Sequence, residues 1–231
     1  MNKQQGKRFV RLIYLLKKLL CRGKREFFTA SSVAICILLL RFFGLLQSLE
    51  WAALDQFFQL RPIEAPEESI TIVAIDEASL REIGSWPIPD GVIAEVLQKL
   101  HLQQPRAIGL DIYRDLKVEP GHTNLLNTYK SIPNLIGIEL LSNNQNNSVA
   151  PPPELSKLKR VGFNNVLLDA DGKVRRSLLY WHLEDQAHES FALKLAKLYL
   201  QAEGIRAKKA PQNPKNLQLG KAVFHRFQPH N

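Results

Sequence analysis

The sequence predicts a mixed α/β domain with βαβ units, preceded by one transmembrane helix. Three observations carry that expectation. Residues 27–46 (FFTASSVAICILLLRFFGLL) form an apolar run with one charge, Arg41. Residues 70–75 (ITIVAI) and 106–112 (RAIGLDI) are short, almost continuous apolar runs, as in strands covered on both faces of a parallel sheet. Between them, Val92, Ile93, Val96, Leu97 and Leu100 recur at helical spacing.

The first run sets the organisation. Twenty residues at about 1.5 Å each span roughly 30 Å, the hydrocarbon thickness of a bilayer. Arg41 lies near the outer end and can snorkel to the headgroups. A cleaved signal peptide would need small residues at the third and first positions before the cut. The chain continues QSLEWAALD, so cuts after Ala52 or Ala53 would put Glu50 or Trp51 at the third position back. The helix is therefore expected to stay attached.

The net charge of +9 is local: residues 1–26 hold nine Lys/Arg and one acid, Glu26, which leaves only +1 for the rest. Basic residues before the helix and near-neutrality after it put the N-terminus in the cytoplasm. The expected order is a basic cytoplasmic tail (1–26), a transmembrane helix (27–48) and an extracytoplasmic domain (49–231), single-pass in the inner (plasma) membrane. Residues 9–20 (FVRLIYLLKKLL) are basic and amphipathic, so they either lie on the inner leaflet or extend the anchor. A basic tail beside an apolar run points to membrane lipid as partner rather than nucleic acid, and no Gly/aromatic RNA-binding signature accompanies it. The only cysteines are Cys21 and Cys36, so the exported domain has none. It can use neither a disulfide nor thiolate chemistry.

Within the domain, residues 89–101 are expected to form a helix with Asp90 as N-cap, ended by Gln-Gln-Pro. Strand, helix and strand make a βαβ unit with parallel pairing. Residues 124–131 read as a further helix and 134–141 as a strand, followed by an exposed loop over 142–153 (SNNQNNSVAPPP). Two strand-like runs, 161–168 and 173–183, flank a hairpin turn at Asp169–Gly172. Residues 190–202 are an amphipathic helix with Phe191, Leu195, Leu198 and Ala202 on one face and Gly204 as C-cap. A last hairpin is expected around Gly220.

Candidate site residues follow from this layout. Asp76 and Glu77 end the first strand and Asp111 sits near the end of the second, where parallel sheets collect ligands. These acids, with neighbouring Ser79, would meet a cation or polar ligand. The bland alternative is that Asp76 caps a short helix beginning at Glu77 while Asp111 makes a single backbone hydrogen bond. Trp86, in the rigid SWPIP loop, either lines a pocket mouth or closes a core edge. The Asp-Ala-Asp-Gly turn lacks the remaining ligands of a calcium loop. The histidines show no metal-ligand spacing, and neither a Gly-rich phosphate loop nor a nucleophile elbow appears. No catalytic residue, metal or cofactor is expected.

The runs LLQSLEWAALDQFFQLRP (45–62), ITIVAIDEASLREIGSWPIP (70–89), PRAIGLDI (105–112) and VGFNNVLLDADGKVRRSLL (161–179) resemble the second type of cyclase/histidine-kinase-associated sensory extracellular (CHASE) domains. The likeness covers residues 45–204 and continues weakly beyond. The family often has an aromatic and a basic residue where this chain has Ile88 and Asp90. The resemblance implies a bacterial ligand-sensing input domain for an unknown small molecule, usually followed by further membrane helices and a cytoplasmic kinase or nucleotide cyclase. The sequence ends before such an output, so the expectation is an input half that signals as a homodimer or through a partner kinase or cyclase. An exported metal-dependent hydrolase using Asp76, Glu77 and Asp111 is the alternative.

Overall fold

A computed structural model describes residues 25–142, 147–183, 186–214 and 216–225. The amphipathic segment at 9–20 lies outside the described residues. The chain divides between Ile72 and Val73 into two units.

In the first unit, helix α1 (Arg25–Phe42) and helix α2 (Gln47–Leu60) are bent by 87° across a four-residue break. Gly44 in that break has φ +73°, which favours a residue without Cβ. This corrects the expected continuous helix over 27–48. Among the described residues no single helix is long and apolar enough to cross a membrane, although the bent pair together meets that test by length and composition. The expectation rested on a continuous apolar run, and hydropathy does not register a glycine that ends a helix.

The second unit is built on a parallel sheet, order β1-β2-β3, of β1 (Ile108–Gly109), β2 (Leu135–Glu139) and β3 (Val161–Phe163). Helices α3 (Glu77–Ile83) and α4 (Asp90–Leu102) precede it, α5 (His122–Ser131) joins β1 to β2, and α6 (Pro153–Lys157) joins β2 to β3. The βαβ units are therefore β1–α5–β2 and β2–α6–β3. The one expected from 70–75, 89–101 and 106–112 does not form. Among the described residues, 70–75 have no ladder partner, and Ile70, Ile72, Val73 and Ile75 are exposed. Apolar β-branched composition fits a pleated, packed surface, but it makes a strand only where a neighbouring edge takes its backbone groups. β1 is also shorter than expected; Arg106, ahead of its start, binds Glu203 and lies over the Tyr199 ring.

Register explains the two covered faces. Ile108, Leu110, Leu135 and Val161 pack with Ile88, Ile93, Ala94, Leu97, Leu125, Tyr129, Ile132 and Leu155 in one core beneath α4, α5 and α6. The intervening positions Gly109 and Gly162 lie under α7 (Phe191–Gln201), which starts with Ser190 accepting a hydrogen bond from Leu193 N–H. A Cβ on Gly162 would meet Phe191 N and Cα at 2.6 Å, so α7 seats on bare backbone. Among α7 residues Leu193 is fully buried, while Phe191 and Leu195 press on Gly109.

The remaining strands form three small antiparallel pieces. β4 (Leu167–Leu168) and β5 (Val174–Arg176) flank the expected turn, with Gly172 at φ +78°. β6 (Tyr180–Leu183) pairs with β7 (Gln186–Glu189), so the run 173–183 is two strands of two different hairpins. β8 (Ala207–Lys209), β9 (Leu217–Leu219) and β10 (Ala222–Phe224) close the chain, the last two around Gly220 as expected. Of the loop over 142–153, residues 143–146 lie outside the described set, Val149 bridges to Leu140, and Pro153 already begins α6.

Candidate functional site

The carboxyl ends of the three parallel strands gather polar side chains. Asn164, just past β3, donates from Nδ2 to Asp111 Oδ1, just past β1, at 2.6 Å. The Asn164 backbone N–H also donates to the Glu139 carbonyl at the end of β2, at 2.9 Å. His188 Nδ1 on β7 lies 3.5 Å from Glu139 Oε1. Asn165 holds the exit of β2 by bonding both the Leu141 N–H and its carbonyl, at 2.9 and 2.7 Å. Parallel pairing produces this convergence, because equivalent strand ends lie side by side. Burial and the nearby Asp111 charge both push the Tyr113 hydroxyl above its ordinary range.

The other expected site residues sit apart from these bonds. Asp76 caps α3, accepting from Ser79 N–H at 2.8 Å and Ser79 Oγ–H at 2.7 Å. Those two donors hold its carboxyl below the ordinary range. The bland reading of Asp76 is thus realised, whereas Asp111 bonds a side chain rather than the backbone. Glu77 lies exposed in the first turn of α3. Trp86 is 74% exposed and closes no core edge; Ile88, two residues on, enters the core instead. Among the described residues no group of three or more His, Cys, Asp or Glu is arranged to hold a metal, so Asp76, Glu77 and Asp111 do not form one.

A second polar group was not anticipated as one. Asp90 is not the N-cap of α4; Pro89 is, and Asp90 is the first helical residue. Its side chain, 1% exposed, turns toward the segment leaving β1. There it meets Arg114 Nη1 at 3.3 Å, the Val118 N–H at 3.2 Å and His122 Nδ1 at 2.7 Å. Arg114, itself buried, also donates to the Ile88 carbonyl at 2.7 Å. Glu119 caps the start of α5 by accepting from the Gly121 and His122 N–H groups. Tyr129 completes the group: burial, then the Asp90 charge, push its hydroxyl far up, and neither that hydroxyl nor Arg114 Nε has a hydrogen-bond partner. In the sequence Asp90 is an acid beside prolines, read as a cap because caps favour Asp.

Near the hairpin turn, Asp169 binds Arg175 and Arg176, and Asp171 binds Arg175 bidentately. The two acids of the turn are thus engaged by arginines from β5.

A sheet covered by helices on both faces, with polar groups at its strand ends, is a scaffold that places ligands at one edge. The chain belongs to the CHASE2 domain family, whose model matches residues 32–229. It therefore carries an extracellular sensory domain, as the sequence resemblance implied. No curated protein and no solved structure matches the chain.

Proposed function

We propose that the protein is a membrane-anchored, extracytoplasmic input domain of a bacterial signal-transduction protein, which binds a small polar molecule and passes the signal to an output module, as a homodimer or through a partner kinase or cyclase. The membership of residues 32–229 in a sensory family carries this reading. The anchor is supported by the apolar surface of α1, where Phe27, Phe28, Leu38 and Leu39 are exposed. Two of its hydroxyls are already satisfied: Thr29 and Ser32 donate to the carbonyls four residues back, which suits a helix in lipid. The basic residues before α1 orient it with the N-terminus inside.

Ligand contact is assigned to the strand-end edge around Asp111, with the exposed Asp76, Glu77 and Trp86 and the half-buried Ser79 as further side chains on and beside the helices that precede the sheet. Asp111 is the centre because Asn164 crosses from β3 to orient it. A ligand replacing that bond would pull directly on the ends of β1 and β3, and it shifts the domain only by its differential affinity for the two arrangements.

The test is a reporter active only outside the cytoplasm, fused after Pro211 in the full chain. Activity there supports the reading, and activity of a cytoplasmic reporter at the same site overturns it. For the binding edge, Asp111→Asn and Asn164→Ala should abolish any thermal shift that a small-molecule panel produces on the purified protein. A hit that shifts both variants as it shifts the parent places the site elsewhere.

A further inference from the structure

We infer that α2 is an interfacial helix, lying along the outer leaflet with one face in lipid, rather than a continuation of the membrane span or a solvated element of the sensory domain. This rests on the anchored reading of α1 and extends it to residues 47–60. α2 contributes no residue to a buried core. Leu49, Ala53, Phe57 and Leu60 follow one another at spacings of four, four and three, so they share one face; Ser48, Asp55 and Gln59 occupy the opposite one. Leu49, Phe57 and Leu60 are all about 70% exposed (67, 71 and 76%), and Leu54 and Phe58, further round the helix from this stripe, are exposed as well. An apolar stripe of this size, with aromatics and without protein cover, fits a lipid boundary.

Two features fix the orientation. The 87° bend turns the chain from the direction of α1 into a perpendicular one, which is the geometry of a helix that leaves a bilayer and lies on it. At the bend, Arg41 Nε and Glu50 Oε1 pair at 3.0 Å. Arg41 is the lone charge of the apolar run 27–46, and Glu50 is the acid nearest the apolar stripe of α2. Each neutralises the other where α1 meets the surface, so neither charge enters hydrocarbon alone. The partner is therefore a lipid surface, engaged through acyl chains at the headgroup boundary.

The experiment uses the full chain in vesicles of phosphatidylethanolamine and phosphatidylglycerol, with Cys21 and Cys36 replaced by Ser. Single cysteines at positions 48, 53, 57 and 59 carry a nitroxide, and relaxation by oxygen and by a water-soluble nickel chelate is compared. The expected result is an oxygen-to-nickel ratio severalfold higher at 53 and 57 than at 48 and 59. Uniformly high ratios would make α2 part of the span, and uniformly low ratios would make it a solvated element of the domain; either overturns the inference. Spin–spin broadening at 57 with lost oxygen access would identify a second copy as the occupant and also overturns it. A nitroxide at position 38 separates this from the anchor: if 38 is open to nickel, the anchored reading itself fails, and if 38 is dry while 57 is wet, only the role of α2 fails. Glu50→Gln should lower the ratio at 53 and 57, because Arg41 then draws water to the bend; an unchanged ratio there would overturn the assigned role of the ion pair.

Discussion

Removing the Asp90 carboxylate should be among the most damaging single changes in the sensory unit. Asp90→Ala leaves the buried Arg114 with only the Ile88 carbonyl as acceptor, since its Nε already has no partner. It also strips the acceptor from the Val118 N–H and frees His122 Nδ1. Deleting one partner of a buried ion pair costs about 3–5 kcal/mol, because the remaining charge stays desolvated. Against a typical domain stability of about 5–15 kcal/mol, that takes a large share. Urea unfolding of the full chain in detergent, followed by tryptophan fluorescence, reads the loss as a lower midpoint at unchanged slope. Asp90→Asn keeps one acceptor oxygen and should lose less, about 1.5–3 kcal/mol, the worth of a hydrogen bond to a charged group. The double variant Asp90→Ala/Arg114→Met should recover part of the loss, because it removes the stranded cation. An Asp90→Ala cost below about 1 kcal/mol, or a double variant worse than the sum of its parts, would show that this group does not hold the start of α4 to the segment leaving β1.

Other outcomes follow from single positions. Gly162→Ala should cost about 1–3 kcal/mol in the same assay, because its Cβ would meet Phe191 backbone at 2.6 Å and α7 must lift off the sheet; Gly172→Ala, with open space around it but φ +78°, tests conformational strain without a clash. Tyr129→Phe should be neutral or stabilising, since the hydroxyl it removes is buried without a partner. The Tyr129 hydroxyl is raised in the folded state, so its contribution is complete below about pH 10 and is lost as pH rises toward the folded value. The phenylalanine variant should therefore unfold less readily at alkaline pH than the parent. Asp169 is held below its ordinary range by Arg176 and then Arg175. Its contribution is present above about pH 4 and is lost as pH falls through the folded value, so Asp169→Asn should flatten the acid limb of stability against pH.

Much of the architecture was legible because it rests on local chemistry. Gly172 and Gly220 mark turns that need positive φ, and both hairpins form there. Ser190 followed by an amphipathic run gives α7, and the periodic helix before β1 is α4 within a residue or so of the expectation. The failures are non-local. Nothing within residues 70–75 states whether an edge will accept their backbone, and that edge is not offered to them. The bend at Gly44 hides inside a run whose hydropathy is uniform. Asp111 was legible as a strand-end acid, but its partner Asn164 is 53 positions away and became visible only through the parallel order of β1, β2 and β3. Asp90 illustrates the same limit, since its carboxylate is spent on residues 24 to 32 positions later rather than on its own helix.

The sidedness of the sensory unit is the claim on which its role as an extracytoplasmic input rests. It can be measured on intact cells expressing the full chain with Cys21 and Cys36 replaced by Ser. One variant carries a single cysteine at the exposed Glu82 position on α3 and another at Gln4, in the basic tail. A membrane-impermeant thiol reagent should label the cysteine at 82 in intact cells and the cysteine at 4 only after lysis. Labelling at 4 in intact cells, with 82 reached only after lysis, would contradict it.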